Sequence, residues 1–366
     1  MAEGNTPPRD TTQPDTRFGQ GFVYDTWYFA AVGTDLIPGK LQRYEVMGEP
    51  VLLGRDRKGE VYGLRDICPH RAAPLSAGRM TTEADGAQSI ECPYHGWRFR
   101  TDGVCSAIPS LVSDQEMEVN RISVRRYPVA ESQGLVFIWM ATDPRKGEPD
   151  QPVPTFPGVV GGGPKLVDRM DFESHIDHAV VGLMDPAHGP YVHRQWWWRS
   201  AKSQHDKAKK FEPREAGFSM VRHEPSKNSR AYAILGGEPL TEITFRLPGM
   251  RWEHITVGPK QVLLLTFLTP IHANRTRITQ LIWSDHWAFT FKRIFAPFVR
   301  AFLRQDGDMV NLQNMGLTYD PSLLWIDDAD RQAKWYQQLK REWAAARKEG
   351  RPFRNPVEAT TLKWRS

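Results

Sequence analysis

Cys68-Pro69-His70 and Cys92-Pro93-Tyr94-His95 place two thiols and two imidazoles on two short polar turns, spaced as C-x-H and C-x-x-H. Two metal chemistries accept that set of donors. Zinc binds two Cys and two His, but zinc fingers pair Cys with Cys and His with His, on spacings absent from this segment. A [2Fe–2S] centre can instead carry two imidazoles on one iron, and its potential then lies above that of all-Cys ferredoxins. The mixed pairs favour iron and sulfide over zinc.

The flanking residues extend the pattern. Cys68-Pro69-His70-Arg71-Ala72-Ala73-Pro74-Leu75, Gly78-Arg79, Cys92-Pro93-Tyr94-His95-Gly96-Trp97-Arg98-Phe99, Asp102-Gly103 and Ile108-Pro109 follow one another. This run resembles the Rieske domain of Rieske non-haem iron oxygenases. The resemblance implies a Rieske [2Fe–2S] cluster held by Cys68, His70, Cys92 and His95.

At 366 residues the chain exceeds the usual size of one domain. A hydrophobic content of 40%, with 13 Trp and 17 Phe, is ample for packed cores and an aromatic pocket. The net charge is +5, but the cations are scattered among 43 acids and form no basic stripe, which excludes a nucleic-acid binder. The positive balance suits an acidic redox partner or an anionic substrate, and equally a solvated surface. Of three cysteines, Cys105 is left over and reads as a buried, idle thiol. So few cysteines argue against a disulfide framework, and an iron–sulfur centre suits a reducing cytoplasm. The polar N-terminus offers no signal-peptide core, and no apolar run reaches the ~18 residues of a membrane span, so a cytoplasmic protein is expected.

Residues 1–17 read as a disordered tail, 18–148 as the Rieske domain and 149–366 as a mononuclear-iron catalytic domain, with the boundary in the Pro-, Gly- and charge-rich stretch from Asp143 to Pro157. Strands are expected over Glu45–Met47, Val51–Leu53, Val61–Leu64 and Gly134–Trp139, giving a small all-β domain with its cluster on loop tips. Further strands are expected over Gly217–Val221, Ala231–Leu235, Glu242–Phe245, Gln261–Phe267 and Arg277–Trp283, and helices over Phe289–Asn314 and Asp327–Lys348. The pattern is α+β. The resemblance adds a helix-grip catalytic domain, with a curved antiparallel sheet around a long C-terminal helix.

A second metal segment is Leu183-Met184-Asp185-Pro186-Ala187-His188-Gly189-Pro190-Tyr191-Val192-His193. Two imidazoles and one carboxylate on one face of Fe(II) leave positions open for oxygen and substrate. On an unbroken helix, residues five apart lie roughly 140° apart around the axis, a poor chelate. Gly189-Pro190 is expected to interrupt the helix between the two histidines. The i, i+5 spacing also differs from the i, i+4 pair of zinc proteases.

D-x2-H-x4-H resembles the mononuclear-iron segment of the same oxygenases. Carried over, His188 and His193 are iron ligands, and Asp185 is a bridging aspartate that would connect His188 to His95 of the next chain in a homotrimer. The alternative reads Asp185-Pro186 as a helix N-cap and first turn. Gly182 departs from many relatives, which carry Asn there. The third ligand is sought in Leu303–Gln313, where Asp306 fits best and Asp308 is second. Both also read as charges near a helix start. His175 and His178 are assigned structural or supporting roles beside Glu173 and Asp177.

Trp196-Trp197-Trp198 reads as core or interface packing, or as the wall of an aromatic pocket. Trp287–Arg300 reads as a helix covering a ligand cavity, or as one touching a membrane surface.

The resemblance implies a terminal oxygenase that takes electrons from a ferredoxin or flavin reductase, since the chain has no G-x-G-x-x-G signature. It looks nearest to the vanillate and dicamba O-demethylase and phenoxybenzoate oxygenase branch. Monooxygenation is therefore expected, as hydroxylation or O-demethylation of an aromatic or polycyclic compound. Ring cis-dihydroxylation is the alternative within the class. From another class, a Rieske electron carrier would have a non-catalytic second domain.

Overall fold

Leu135-Val136-Phe137-Ile138-Trp139-Met140 is buried at every position, and it forms the middle strand of a three-stranded sheet. The computed structural model describes residues 15–145, 147–159, 161–193, 204–225, 232, 235–287, 289 and 292–366. In chain order, the first eleven strands are β1 (Thr26–Val32), β2 (Leu41–Val46), β3 (Glu49–Arg55), β4 (Val61–Arg65), β5 (Arg79–Thr82), β6 (Gln88–Glu91), β7 (Arg98–Arg100), β8 (Cys105–Ala107), β9 (Arg126–Tyr127), β10 (Val129–Ser132) and β11 (Leu135–Met140). They form three small antiparallel sheets, ordered β1-β11-β10, β2-β3-β4-β9 and β5-β6-β7-β8.

The second half is one eight-stranded antiparallel sheet, ordered β12-β18-β17-β16-β15-β14-β13-β19. Its strands are β12 (Leu166–Phe172), β13 (Asp206–Arg214), β14 (Gly217–His223), β15 (Leu240–Arg246), β16 (Met250–Val257), β17 (Lys260–His272), β18 (Arg275–Ser284) and β19 (Thr360–Arg365). β17 is nearly continuous in apolar residues because both of its faces are covered. On one face Leu263, Leu265 and Phe267 meet Phe29 and Phe137 of the first half, with Phe29 stacked on Phe267 at 4.3 Å. On the other face lie the helices α1 (Ile176–Met184), α3 (Lys292–Leu317) and α4 (Asp327–Glu349), and the short α2 (Gly189–Val192) contacts α3.

α4 is the expected long C-terminal helix, with Trp335 and Tyr336 packed on Phe211, Phe218 and Phe245 of the sheet. It ends at Gly350, whose φ of 65° closes the last turn, a conformation a glycine adopts at little cost. The α+β architecture with a large antiparallel sheet and a C-terminal helix is thus as expected, with one difference in its strands. β12, β13, β16 and β19 were not expected. The strand expected over Ala231–Leu235 lies outside the described residues except for Tyr232 and Leu235. The Trp196–Trp198 cluster lies outside the described residues, as does Met1–Pro14 of the expected tail.

His175 and His178 sit at the start of α1, away from any metal trio. His175 Nδ1 accepts from the backbone N–H of Asp177, capping the helix. His178 is 8% exposed, meets the edge of Phe18 at 4.7 Å, and its Nδ1 has no partner among the described residues. Burial lowers its pKa to about 4. The folded-state pKa lies below the ordinary value near 6.5, so between these two pH values the unfolded chain holds a proton that the folded chain refuses. Stability from this group is therefore intact above the upper value and lost as pH falls through the window. Moving from pH 7.5 to pH 5 is expected to cost about 2 kcal/mol, read as a fall in the urea midpoint that is absent in His178→Phe. A wild-type midpoint indifferent to that pH change, or an equal fall in the variant, would refute this assignment.

Candidate metal centres

The two cysteine turns are built alike. In the first, Cys68 N–H bonds Ala73 O at 2.9 Å and Ala72 N–H returns to Cys68 O at 2.9 Å. In the second, Cys92 N–H bonds Trp97 O at 2.8 Å and Gly96 N–H returns to Cys92 O at 3.1 Å. Each turn closes on a left-handed residue, Ala72 at φ 57° and Gly96 at φ 71°. The closing residue of the second turn is glycine because a Cβ there would also lie 3.2 Å from Pro109 Cγ.

The thiols point inward and the imidazoles outward. Cys68 and Cys92 are 1% and 2% exposed, among Leu52, Leu64, Leu75, Ile90 and Phe99. Burial raises the Cys68 thiol to about 11, and the neighbouring Cys92 adds to this. Apolar surroundings alone do not favour a thiolate pair, whereas a bound cation deprotonates such thiols outright. The backbone N–H groups of His70 and Arg71 act against this rise. His70 and His95 lie with ring centroids 4.5 Å apart, His70 stacked on Trp97 at 4.7 Å and His95 beneath Tyr94 at 3.9 Å.

Whether this set suits one ion or two is a matter of convergence. Around a single tetrahedral zinc, all four donor atoms would lie close together. Among the described residues, the one group of three or more His, Cys, Asp or Glu donors mutually within 4.8 Å is elsewhere. These four donors therefore do not converge on one point as a single zinc would require, and a binuclear cluster asks for no such convergence.

The convergent group is His188, His193 and Asp306. His188 Nε2 lies 3.1 Å from His193 Nε2, and Asp306 Oδ1 lies 3.1 Å from His193 Nε2 and 3.7 Å from His188 Nε2. The local fold differs from the expected one in a telling way. Gly189-Pro190 does not interrupt a helix but opens the four-residue α2, with Pro in its first turn, where its missing N–H costs nothing. The break lies upstream, where α1 ends at Met184 and the chain turns through Asp185–Ala187. His188 and His193 thus flank one helical turn, and their rings swing together.

The far nitrogen of each imidazole is held. His188 Nδ1 donates to the backbone carbonyl of Asp185 at 2.7 Å, and His193 Nδ1 donates to Gln305 Oε1 at 3.0 Å. With both Nδ1 atoms protonated against these acceptors, both Nε2 lone pairs face Asp306, the tautomer a metal needs. Phe302 stacks on His193 at 3.6 Å. Sequence reasoning missed Gln305 and Phe302. The signal available was helical spacing, one residue and one turn before Asp306 on α3.

Asp306 and Asp308 stand in the middle of α3 and not near its start, so the helix dipole does not account for them. Asp306 joins the histidines, while Asp308 is exposed and outside the group. Asp185 is the C-cap of α1 and not an N-cap. Its Oδ1 accepts from Ala187 N–H at 2.7 Å, its Oδ2 lies 3.9 Å from His188 Nδ1, and burial raises its pKa. At Gly182 a Cβ would meet only Val310 Cγ2, at 4.0 Å, so the position has room for a side chain.

Comparison with known proteins matches two family models. Residues 26–128 match the Rieske [2Fe-2S] domain, and residues 173–346 match the vanillate O-demethylase oxygenase C-terminal domain. The iron-sulfur subunit TsaM1 of the toluene-4-sulfonate monooxygenase system of Comamonas testosteroni is 38% identical over 172 residues, 47% of each chain. The oxygenase component of dicamba O-demethylase from Stenotrophomonas maltophilia is 35% identical over 177 residues, 47% of this chain and 48% of that one. The chain spans between 24% and 60% of the length of such curated relatives. Among solved structures, dicamba monooxygenase bound to dicamba aligns with a TM-score of 0.67 at 22% identity, over 88% of this chain and 99% of that one, a likeness of fold.

Proposed function

This chain belongs to the family that joins a Rieske [2Fe–2S] domain to a vanillate O-demethylase oxygenase C-terminal domain, and on that premise we propose that it is a terminal oxygenase that monooxygenates an aromatic or polycyclic substrate. The observation that carries the reading is the His188–His193–Asp306 trio, which presents three protein donors and leaves the rest of a metal's coordination sphere open. Its cofactors are a Rieske cluster and a mononuclear iron. When bound, they supply electron storage and the reductive activation of oxygen.

The chain's own residues do the positioning. Cys68 and Cys92 hold the buried side of the cluster, and His70 and His95 hold its solvent side. His188, His193 and Asp306 hold the iron, and the Asp185 carbonyl and Gln305 keep the two iron imidazoles in the required tautomer. Asp185, with one carboxylate oxygen left over from its turn, connects His188 to His95 of the partner subunit in a homotrimer. Exposed Met309, Leu312 and Met315 along α3 support a contact between copies. A ferredoxin or a flavin reductase supplies electrons, in the cytoplasm; among the described residues, no helix is long and apolar enough to cross a membrane. Relatives named as monooxygenases and O-demethylases support monooxygenation over ring dihydroxylation. The trio argues against a mere electron carrier, which would have no use for it.

The test is a metal assay on anaerobically purified protein. Expected are about three irons and two acid-labile sulfides per chain with a Rieske spectrum, the sum of one binuclear cluster and one mononuclear site. Zinc without sulfide would overturn the reading. Cluster iron alone that no added Fe(II) supplements would leave only the carrier.

A further inference from the structure

On the helix-facing side of the large sheet, three polar side chains stand in one cross-strand row. Arg251 on β16 is opposite Thr266 on β17, and Thr266 is opposite Gln280 on β18. The row continues to Asp168 on β12. Its face is fixed by its neighbours. On β17, β18 and β12 the rows on either side are apolar, with Leu268, Ile278 and Met170 packed with Leu303 and Val310 of α3, and Leu264, Ile282 and Leu166 packed with Val299.

A polar row between two apolar ones normally satisfies itself. Asp168 does so in part, taking Arg300 Nε at 3.3 Å on Oδ1, while its buried Oδ2 has no partner among the described residues. Glu253, two residues along from Arg251, is turned to Tyr232 and Thr241. Arg251, Thr266 and Gln280 have no hydrogen-bond or ion-pair partner among the described residues. Thr266 is only 3% exposed and Arg251 and Gln280 are half-buried, so two polar groups without a described partner stand beside a cationic fork whose charge also reaches the buried Tyr232 phenol.

We infer that this row is the recognition site for an oxyanion group, a carboxylate or sulfonate, on the substrate of the iron centre. This deepens the oxygenase reading and rests on it. Directly opposed residues lie about 5 Å apart, so the row spans about 10 Å from Arg251 to Gln280, the scale of a substituted benzene ring. Arg251 offers the planar two-donor fork that matches an oxyanion. Thr266 and Gln280 bond its second oxygen or a ring substituent. The metal end is one row away, about 7 Å along the strands. There Met170 Sδ lies 2.8 Å from where a Cβ on Gly307 would stand, next to Asp306. A head group held on the row therefore leaves the remainder of an aromatic substrate over the iron ligands.

The experiment is calorimetric binding to the anaerobic, metal-loaded protein of matched probes, benzoate against benzamide and 4-toluenesulfonate against 4-toluenesulfonamide. At least one anion should bind about ten- to hundred-fold tighter than its neutral partner. Arg251→Gln should erase that preference while leaving the iron and sulfide content at wild-type values. Should Arg251→Gln fold poorly, Thr266→Val keeps the charge and the shape, and is expected to weaken the anion several-fold. The anion pair that responds distinguishes carboxylate from sulfonate. Neutral probes binding as well as anions, no anion binding at millimolar concentration, or a preference that survives Arg251→Gln overturns the inference. A preference for anions in protein that takes up no mononuclear iron when Fe(II) is added would instead overturn the oxygenase reading and leave the anion site standing.

Discussion

His193→Ala is expected to empty the mononuclear site and abolish turnover, while the [2Fe–2S] spectrum and the sulfide content stay at wild-type values. His193 touches both other members of the trio, with Nε2 at 3.1 Å from His188 Nε2 and 3.1 Å from Asp306 Oδ1. Removing it leaves two donors that cannot close one face of an ion. Loss of an outer-shell partner of a metal ligand costs 10–100-fold, so loss of the ligand should exceed about 100-fold in iron affinity and in rate. The ring is 3% exposed and stacked on Phe302, so its removal also opens a small cavity. Circular dichroism separates that packing loss from the metal loss, because alanine restores neither ring nor donor while the sheet should persist. Gln305→Leu gives the graded case: Nδ1 loses its acceptor but Nε2 remains, and iron should bind about 10–100-fold more weakly without vanishing. A His193→Ala protein that kept an iron beyond the cluster and still turned over would refute the assignment of the trio.

The cluster segment was legible because its chemistry is local. Both turns lie within Cys68–Trp97, and each presents its ligands over a few residues. The iron site was legible in composition but not in geometry. His188, His193 and Asp306 were recognisable, yet the chain turn sits at Asp185–Ala187 and not at Gly189-Pro190, since proline in a first helical turn starts a helix as readily as it stops one. Gln305 stayed hidden because its role depends on α3 crossing the histidines, a contact 112 residues apart in sequence. The missed strands have two distinct causes. β13 and β19 pair with each other near and at the sheet edge and expose most of their residues, so charge obscures their alternation. β12 and β16 place Asp168, Arg251 and Glu253 on the inner face, where an apolar residue is the norm. Polar residues on the helix-facing side broke the strand pattern. The failure of the pattern and the proposed binding row have the same origin.

The second large effect is expected at the opposite end of α1 from the iron. Asp177 is fully buried and accepts from Lys340 Nζ at 2.7 Å, from Tyr336 Oη at 2.6 Å and from the backbone N–H of Gly19 at 2.8 Å. Lys340, 3% exposed, also donates to Gln20 O at 2.7 Å. One ion pair thus ties the segment before β1, the first turn of α1 and the middle of α4. Lys340→Met preserves much of the side-chain volume but strands a buried carboxylate, which should cost about 3–5 kcal/mol. The double variant Asp177→Asn/Lys340→Met removes both charges while keeping an oxygen for Tyr336 or Gly19, and should recover a large part of that loss. α1 runs from this anchor to Asp185 and then His188, so a loosened anchor should release mononuclear iron before it releases cluster sulfide. The measurements are urea unfolding of the three proteins together with iron and sulfide per chain. A Lys340→Met protein as stable as wild type would show that the pair is not what fixes α1. Equal loss of iron and sulfide would show that the anchor holds the fold at large and not the iron site in particular.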